Sequence, residues 1–159
     1  MTGPILSGLL FSLSVILLSF FKPGSCRVFI GFFFIISGAV VNLTLIIIRP
    51  FFVYQYGMTA RLELYRDFTE RVIGVNPILF GVLLILFELT VGMMILGKKR
   101  WVTGGLLLAS LFMVILIPLQ AYRFAWALSV PSLLFLMRGN YGKSLIDMVR
   151  ERREGAKTD

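Results

Sequence analysis

Long apolar runs alternate along this chain with short breaks made of basic residues or proline. Five runs stand out, at 5–21, 28–48, 78–96, 101–119 and 124–137. The first four are long enough, as helices, to cross a hydrocarbon core of about 30 Å. Lys22-Pro23-Gly24 ends the first run and Arg49-Pro50 closes the second, since proline cannot extend a helix and pushes the residue before it out of helical geometry. Asn76-Pro77 opens the third, a capping side chain followed by proline at the first helical position. Lys98-Lys99-Arg100 separates the third from the fourth, which starts at Trp101, an interfacial anchor, and weakens at Pro118. Gln120-Ala121-Tyr122-Arg123 reads as a tight polar turn. The last run holds fourteen residues, about 21 Å of helix, and Pro131 is expected to kink it.

Two segments outside these runs have a different pattern. Between Tyr54 and Gly74 the positions Met58, Leu62, Tyr65, Phe68 and Val72 form one helical stripe, opposite Arg61, Glu63, Arg66, Asp67, Glu70 and Arg71. The pairs Arg66–Glu70 and Asp67–Arg71 are four apart. The segment 54–74 therefore predicts an amphipathic helix lying in the outer headgroup region, or a lid over an opening between spans. In the tail, 138–159, Ser144 and Asp147 have capping-box spacing. Leu145, Met148 and Val149 would face lipid there, while Arg150, Arg152 and Arg153 meet anionic lipid headgroups.

Composition removes whole classes of function. The chain is 58% hydrophobic and 15% charged, with a formal net charge of +8, too little polar surface for a water-facing globule. A soluble enzyme is excluded. No histidine is present, and Cys26 is the only cysteine, so bis-histidine haem, thiolate metal clusters and CxxC redox pairs have no ligands. No catalytic residue or metal site is expected, and the lack of a catalytic constellation leans against an enzyme without deciding it. Placing 22–27, 98–100 and the tail on one side gathers eleven of the sixteen basic residues there, which makes that side cytoplasmic. The expectation is a multi-pass cell-membrane protein with the carboxyl end inside and the amino end outside. Positive charge precedes no apolar run at the amino end, so the first run reads as a retained helix rather than a cleaved leader. The charge follows topology and calls for no nucleic acid.

Glu88 is the one acid inside a spanning run, near its middle. A carboxylate at that depth costs a few kcal/mol and should face the bundle interior, either fixing helix packing or serving as a proton or ligand contact. Asn42, Thr44 and Gln120 are its candidate partners, and Arg123 or Arg49 would have to reach inward to pair with it. A ligand site would draw on Glu88, Asn42, Gln120 and Arg123. No cofactor is required. A quinone or isoprenoid could lie among Phe32-Phe33-Phe34, Phe51-Phe52, Tyr54 and Tyr56. Gly31, Gly38, Gly81, Gly92, Gly104 and Gly105 suit close helix approach, and Gly105 and Ala109 have small-xxx-small spacing.

Arg27-Val28-Phe29-Ile30-Gly31 leads to Ile36-Ser37-Gly38 in one run, followed by a long external loop. Then come Phe87-Glu88-Leu89-Thr90-Val91-Gly92, Leu96-Gly97 with its basic turn, and Gly104-Gly105-Leu106-Leu107 before a final hydrophobic hairpin. From Arg27 to Met137 this layout resembles the DoxX-like family of small membrane proteins. The resemblance implies an all-α integral membrane protein, a four-helix bundle, to which this chain adds one amino-terminal span and an interfacial helix. It also implies links to quinone-coupled oxidation, redox complexes or protein maturation. The function expected is a non-catalytic subunit or assembly factor, held to a membrane-protein partner or a second copy of itself. A quinone- or lipid-binding subunit of an oxidoreductase is the alternative.

Overall fold

The structure, a computed structural model, describes residues 2–119 and 124–155, and every regular element among them is helical. Helix α1 (Thr2–Phe21) is joined through Lys22 alone to α2 (Pro23–Ile36), with Pro23 in the first turn, where the absence of its N–H costs nothing. A π-helical turn (Ser37–Asn42) and α3 (Leu43–Ile48) continue α2 as one rod. Helices α4 (Phe52–Met58) and α5 (Glu63–Arg71), with a 3₁₀ turn (Ile73–Val75), cross one end of the bundle. The chain then runs through α6 (Pro77–Leu96) and α7 (Arg100–Leu116), the latter extended by a 3₁₀ turn at Ile117–Leu119. Helices α8 (Phe124–Ala127), α9 (Val130–Leu136) and α10 (Leu145–Gly155) complete it.

Three helical stretches are long and apolar enough to cross a membrane: Pro23–Ile48, Pro77–Leu96 and Arg100–Leu119. A shorter apolar helix, Ile5–Phe21, and the apolar stretch Phe124–Leu136, made of α8 and α9, pack beside them. Leu6, Leu10, Ile47 and Leu107 stand exposed on the outer faces, which a bilayer solvates and water does not.

Helix contact is closest where glycine removes the side chain. Gly31 of α2 and Gly92 of α6 face each other, and Gly105 of α7 lies against the Ile95 backbone. Around these crossings sits a dry core of Val15, Ile30, Phe34, Val91, Ile95, Leu106 and Leu133. Helix α1 belongs to it: Ser12 Oγ donates to the Ala125 carbonyl at 2.6 Å, and Gly8 makes room for the Trp126 ring. The predicted cap is in place, Leu79 N–H donating to Asn76 Oδ1 at 3.1 Å.

Four sequence expectations need correction. The second helix starts at Pro23 rather than Val28, and it carries Arg27, 1% exposed, into the bundle. The segment 54–74 is not one helix but α4, α5 and a 3₁₀ turn. Its chain breaks at Thr59–Leu62, so the apolar stripe is split, and neither Arg66–Glu70 nor Asp67–Arg71 closes an ion pair. The run 124–137 breaks rather than bends: α8 stops at Ala127, whose carbonyl a proline at 131 would clash with, and Pro131 sits in the first turn of α9. Met148 turns toward Arg27, Sδ 4.0 Å from Nη2, rather than toward lipid. The side chains of Arg152 and Arg153 lie outside the described residues.

The capping box of α10 is complete. Asp147 Oδ2 accepts from the Ser144 N–H at 2.9 Å and its hydroxyl at 2.8 Å, and Ser144 Oγ accepts from the Asp147 N–H at 3.3 Å. The Ser144 N–H first, then its hydroxyl and Lys98, hold the Asp147 carboxyl below its ordinary value of 3.8. A lowered folded pKa means the cap is whole above that ordinary value and is lost as pH falls through the lower one. Amide exchange across 145–155, corrected for intrinsic rates, should therefore lose protection on going from about pH 6 to about pH 2–3. Asp147→Asn should be less protected throughout and flat over that range; a wild-type profile equally flat would rule the cap out as the cause.

Candidate functional site

The half of the bundle nearest α4 and α5 is hollow. A cavity of about 660 Å³ lies between α2–α3, the first half of α6 and the second half of α7. Its walls are aliphatic and aromatic, with the Phe112 ring against those of Phe34 and Phe87 at centroid distances of 6.2 and 5.1 Å. Such a size and lining are typical of sites that enclose a drug-sized apolar molecule.

One wall is polar. Glu88, 4% exposed, accepts hydrogen bonds from the Asn42 amide on Oε2 and from the Ser37 hydroxyl on Oε1, the latter at 3.2 Å. The backbone explains this convergence. In an α-helix, residues five apart point about 140° away from each other. Between Ser37 and Asn42 the helix is π-wound, with the Leu43 N–H reaching back to the Gly38 carbonyl, so the two side chains share one face. Gly38 lies within the same turn, and a Cβ there would sit 3.1 Å from Glu88 Cβ. The wide turn and the missing side chain together let α6 bring its carboxylate against two donors.

The opposite end of the cavity is capped by the α4–α5 hairpin. Tyr56, Tyr65, Phe68 and Thr69 all contribute to the lining. The hairpin closes on itself through Gly57, which leaves space that Thr69 occupies, while Thr69 Oγ1 donates to the Tyr65 carbonyl at 2.7 Å. It is tied to the end of α7 by two bonds, Tyr65 Oη to the Ile115 carbonyl at 3.1 Å and Arg61 N–H to the Pro118 carbonyl at 3.0 Å. The hairpin thus lies across one end of the cavity.

Asn42 and Glu88, both candidates from sequence, are thus brought together on the cavity wall. Thr44 is exposed on the outer face of α3 and takes no part. Gln120 and Arg123 lie outside the described residues. Of the aromatic candidates, Phe33, Phe34, Phe52 and Tyr56 line the cavity, whereas Phe32 and Phe51 point outward. Ser37 was not among the sequence candidates. Its signal was there in principle, five residues before Asn42 in a Ser-Gly pair, but only a π-turn makes that spacing meaningful. Among the described residues no three His, Cys, Asp or Glu side chains converge as a metal site. Set against family models, characterised proteins and solved structures, the chain matches none.

Proposed function

We propose that this protein is a DoxX-like, five-span membrane subunit that holds a lipophilic ligand, a quinone or a lipid, in its cavity. The carrying observation is the pairing of a large apolar chamber with a single polar wall, Ser37–Asn42–Glu88. The apolar walls suit a tail or a flat ring. The carboxylate and amide suit the carbonyl or hydroxyl at the ligand's polar end, with Glu88 as the group able to accept or return a proton. Orientation follows the basic residues, with the carboxyl end cytoplasmic, the amino end outside and the α4–α5 lid on the outer face. The chain supplies place and orientation, and its partner in the complex, or a second copy, supplies any further chemistry. The expected role as a non-catalytic subunit is kept within this reading; a pure assembly factor would have no use for the chamber.

Native mass spectrometry of protein gently extracted from its own membrane tests it. Wild type should carry one small-molecule adduct. Glu88→Gln, close in shape, should lower its occupancy on the order of tenfold, as expected when one charged hydrogen bond is removed. Leu108→Trp, filling the chamber, should abolish it. A wild-type protein that brings down a protein partner and no small molecule would overturn ligand binding in favour of the assembly factor.

A further inference from the structure

At the end of the bundle away from the lid, a second cleft of about 390 Å³ opens between the start of α7 and the segment that follows α9. Its charged lining is of one sign: Lys99 and Arg100 on one wall and Arg138 on the other, with Thr103, Asn140 and Tyr141 between them. Neighbouring cations are neutralised, Lys98 by Asp147, Lys143 by Glu151 and Arg150 by Glu154. None of the three in the cleft has an acidic partner among the described residues.

The cleft is built, not a chance meeting of long side chains. Lys99 N–H donates to the Tyr141 carbonyl at 2.7 Å, stapling the two walls. That staple holds Lys99 at φ 52°, the one positive φ among the described non-glycine residues and an unfavourable conformation for lysine. Beneath the floor, the buried Arg27 guanidinium lies 4.9 Å from the centre of the Tyr141 ring, adding a fourth positive charge close to the cleft. Three positive charges lining an open concavity, with a fourth behind its floor, favour an anion, and guanidinium forks match the oxygens of a phosphate.

We infer that this cleft binds the phosphodiester headgroup of an anionic phospholipid. Its position selects lipid over a soluble phosphate: Trp101 stands 65% exposed beside it, and Leu134 and Phe135 of α9 continue as exposed apolar surface away from it. An acyl chain leaving the headgroup therefore has a lipid-facing track to follow. The site is separate from the chamber at Glu88 and does not depend on its ligand.

The test uses full-length protein in detergent, titrated with phosphatidylglycerol, phosphatidylcholine or inorganic phosphate and read by native mass spectrometry. One phosphatidylglycerol should bind with preference over phosphatidylcholine. Lys99→Gln/Arg100→Gln/Arg138→Gln should weaken it on the order of a hundredfold, from the loss of three basic contacts to an anionic headgroup. Lys98→Gln/Lys143→Gln/Arg150→Gln removes the same charge outside the cleft and should leave it within about twofold. All six residues are exposed, so the variants should fold, which their thermal transitions check. Inorganic phosphate that displaces the lipid competitively would support the phosphate chemistry of the site; phosphate that binds with no lipid preference would overturn the lipid as its source. Equal weakening by both triple variants would overturn the site itself, leaving only diffuse surface charge.

Discussion

Gly92→Val should cost on the order of 3 kcal/mol of stability and lower the thermal transition of the detergent-solubilised protein by about 6–12 °C. A Cβ at position 92 would lie 2.8 Å from the Gly31 carbonyl oxygen and 3.1 Å from the Ile35 nitrogen. Both obstacles are backbone, so neither can rotate away, and the α2–α6 crossing must open. Helix propensity pushes the other way, since replacing glycine inside a helix gains up to about 1 kcal/mol. That gain is smaller than the cost of prising apart the best-packed crossing, and valine gains less than alanine. Opening the crossing also pulls Gly38 and Ser37 away from Glu88, so the cavity's polar wall should come apart with it. Gly142→Ala, which meets no atom within 4 Å, is the matched control and should change stability by no more than about 0.5 kcal/mol. Should the valine variant melt with wild type, the crossing is looser than its geometry implies.

The glycines show what the sequence could and could not convey. Small residues in apolar runs announce close helix crossings, and Gly31, Gly92 and Gly105 all stand at one. The apolar runs themselves located three membrane-length helices and the two shorter apolar stretches to within a few residues, because hydrophobic length is a one-dimensional property. Departures occurred where a three-dimensional contact overruled a local rule. Lys22-Pro23-Gly24 looks like a loop, yet proline is tolerated in a first helical turn, so α2 begins there and Arg27 goes inside. The stripe from Met58 to Val72 looks continuous, yet the hairpin must turn back to seat Thr69 on Gly57.

The candidate site was half legible for the same reason. A lone carboxylate inside an apolar run identifies itself by its cost, and an asparagine on a neighbouring run is its natural donor. Ser37 escaped because serine in a membrane helix usually bonds its own backbone, as Ser14 does to the Leu10 carbonyl at 2.8 Å. Nothing in the residue string declares that six residues will wind as a π-turn. The wider turn is stabilised by what it brings together, and that partner lies 51 residues beyond Ser37, where α6 presents Glu88. Nor does periodicity reveal that the bundle is dry at one end and hollow at the other. The tightest backbone approaches, at Gly92 and Gly105, stand in the basic half, and bulky phenylalanines line the cavity in the other.

Arg27→Ala should free α10 from the bundle, raising tryptic cleavage at Lys143 and Arg150 on the order of a hundredfold under native conditions. Arg27 is buried, and among the described residues no carboxylate pairs with it. Its Nη1 donates to the Gly97 carbonyl at 3.3 Å and its Nη2 to the Lys143 carbonyl at 3.1 Å, while the guanidinium faces the Tyr141 ring. One side chain thus joins α2, the carboxyl end of α6 and the segment leading into α10. The α6 terminus favours a cation there, because its last carbonyls carry partial negative charge. Charge-assisted hydrogen bonds contribute about 1.5–3 kcal/mol each, so losing two of them, less the recovered cost of burying a guanidinium, leaves about 3 kcal/mol. If cleavage proceeds through local opening, that energy is the hundredfold rate change. The exposed Lys98–Asp147 pair cannot compensate, being screened by water. Arg27→Lys discriminates fork from charge: an ammonium reaches one carbonyl but not both, so it should recover less than half of the lost protection. Full protection in the lysine variant would mean that charge alone holds α10. Wild-type cleavage rates in the alanine variant would mean that α10 docks through its own apolar face, with Arg27 a passenger.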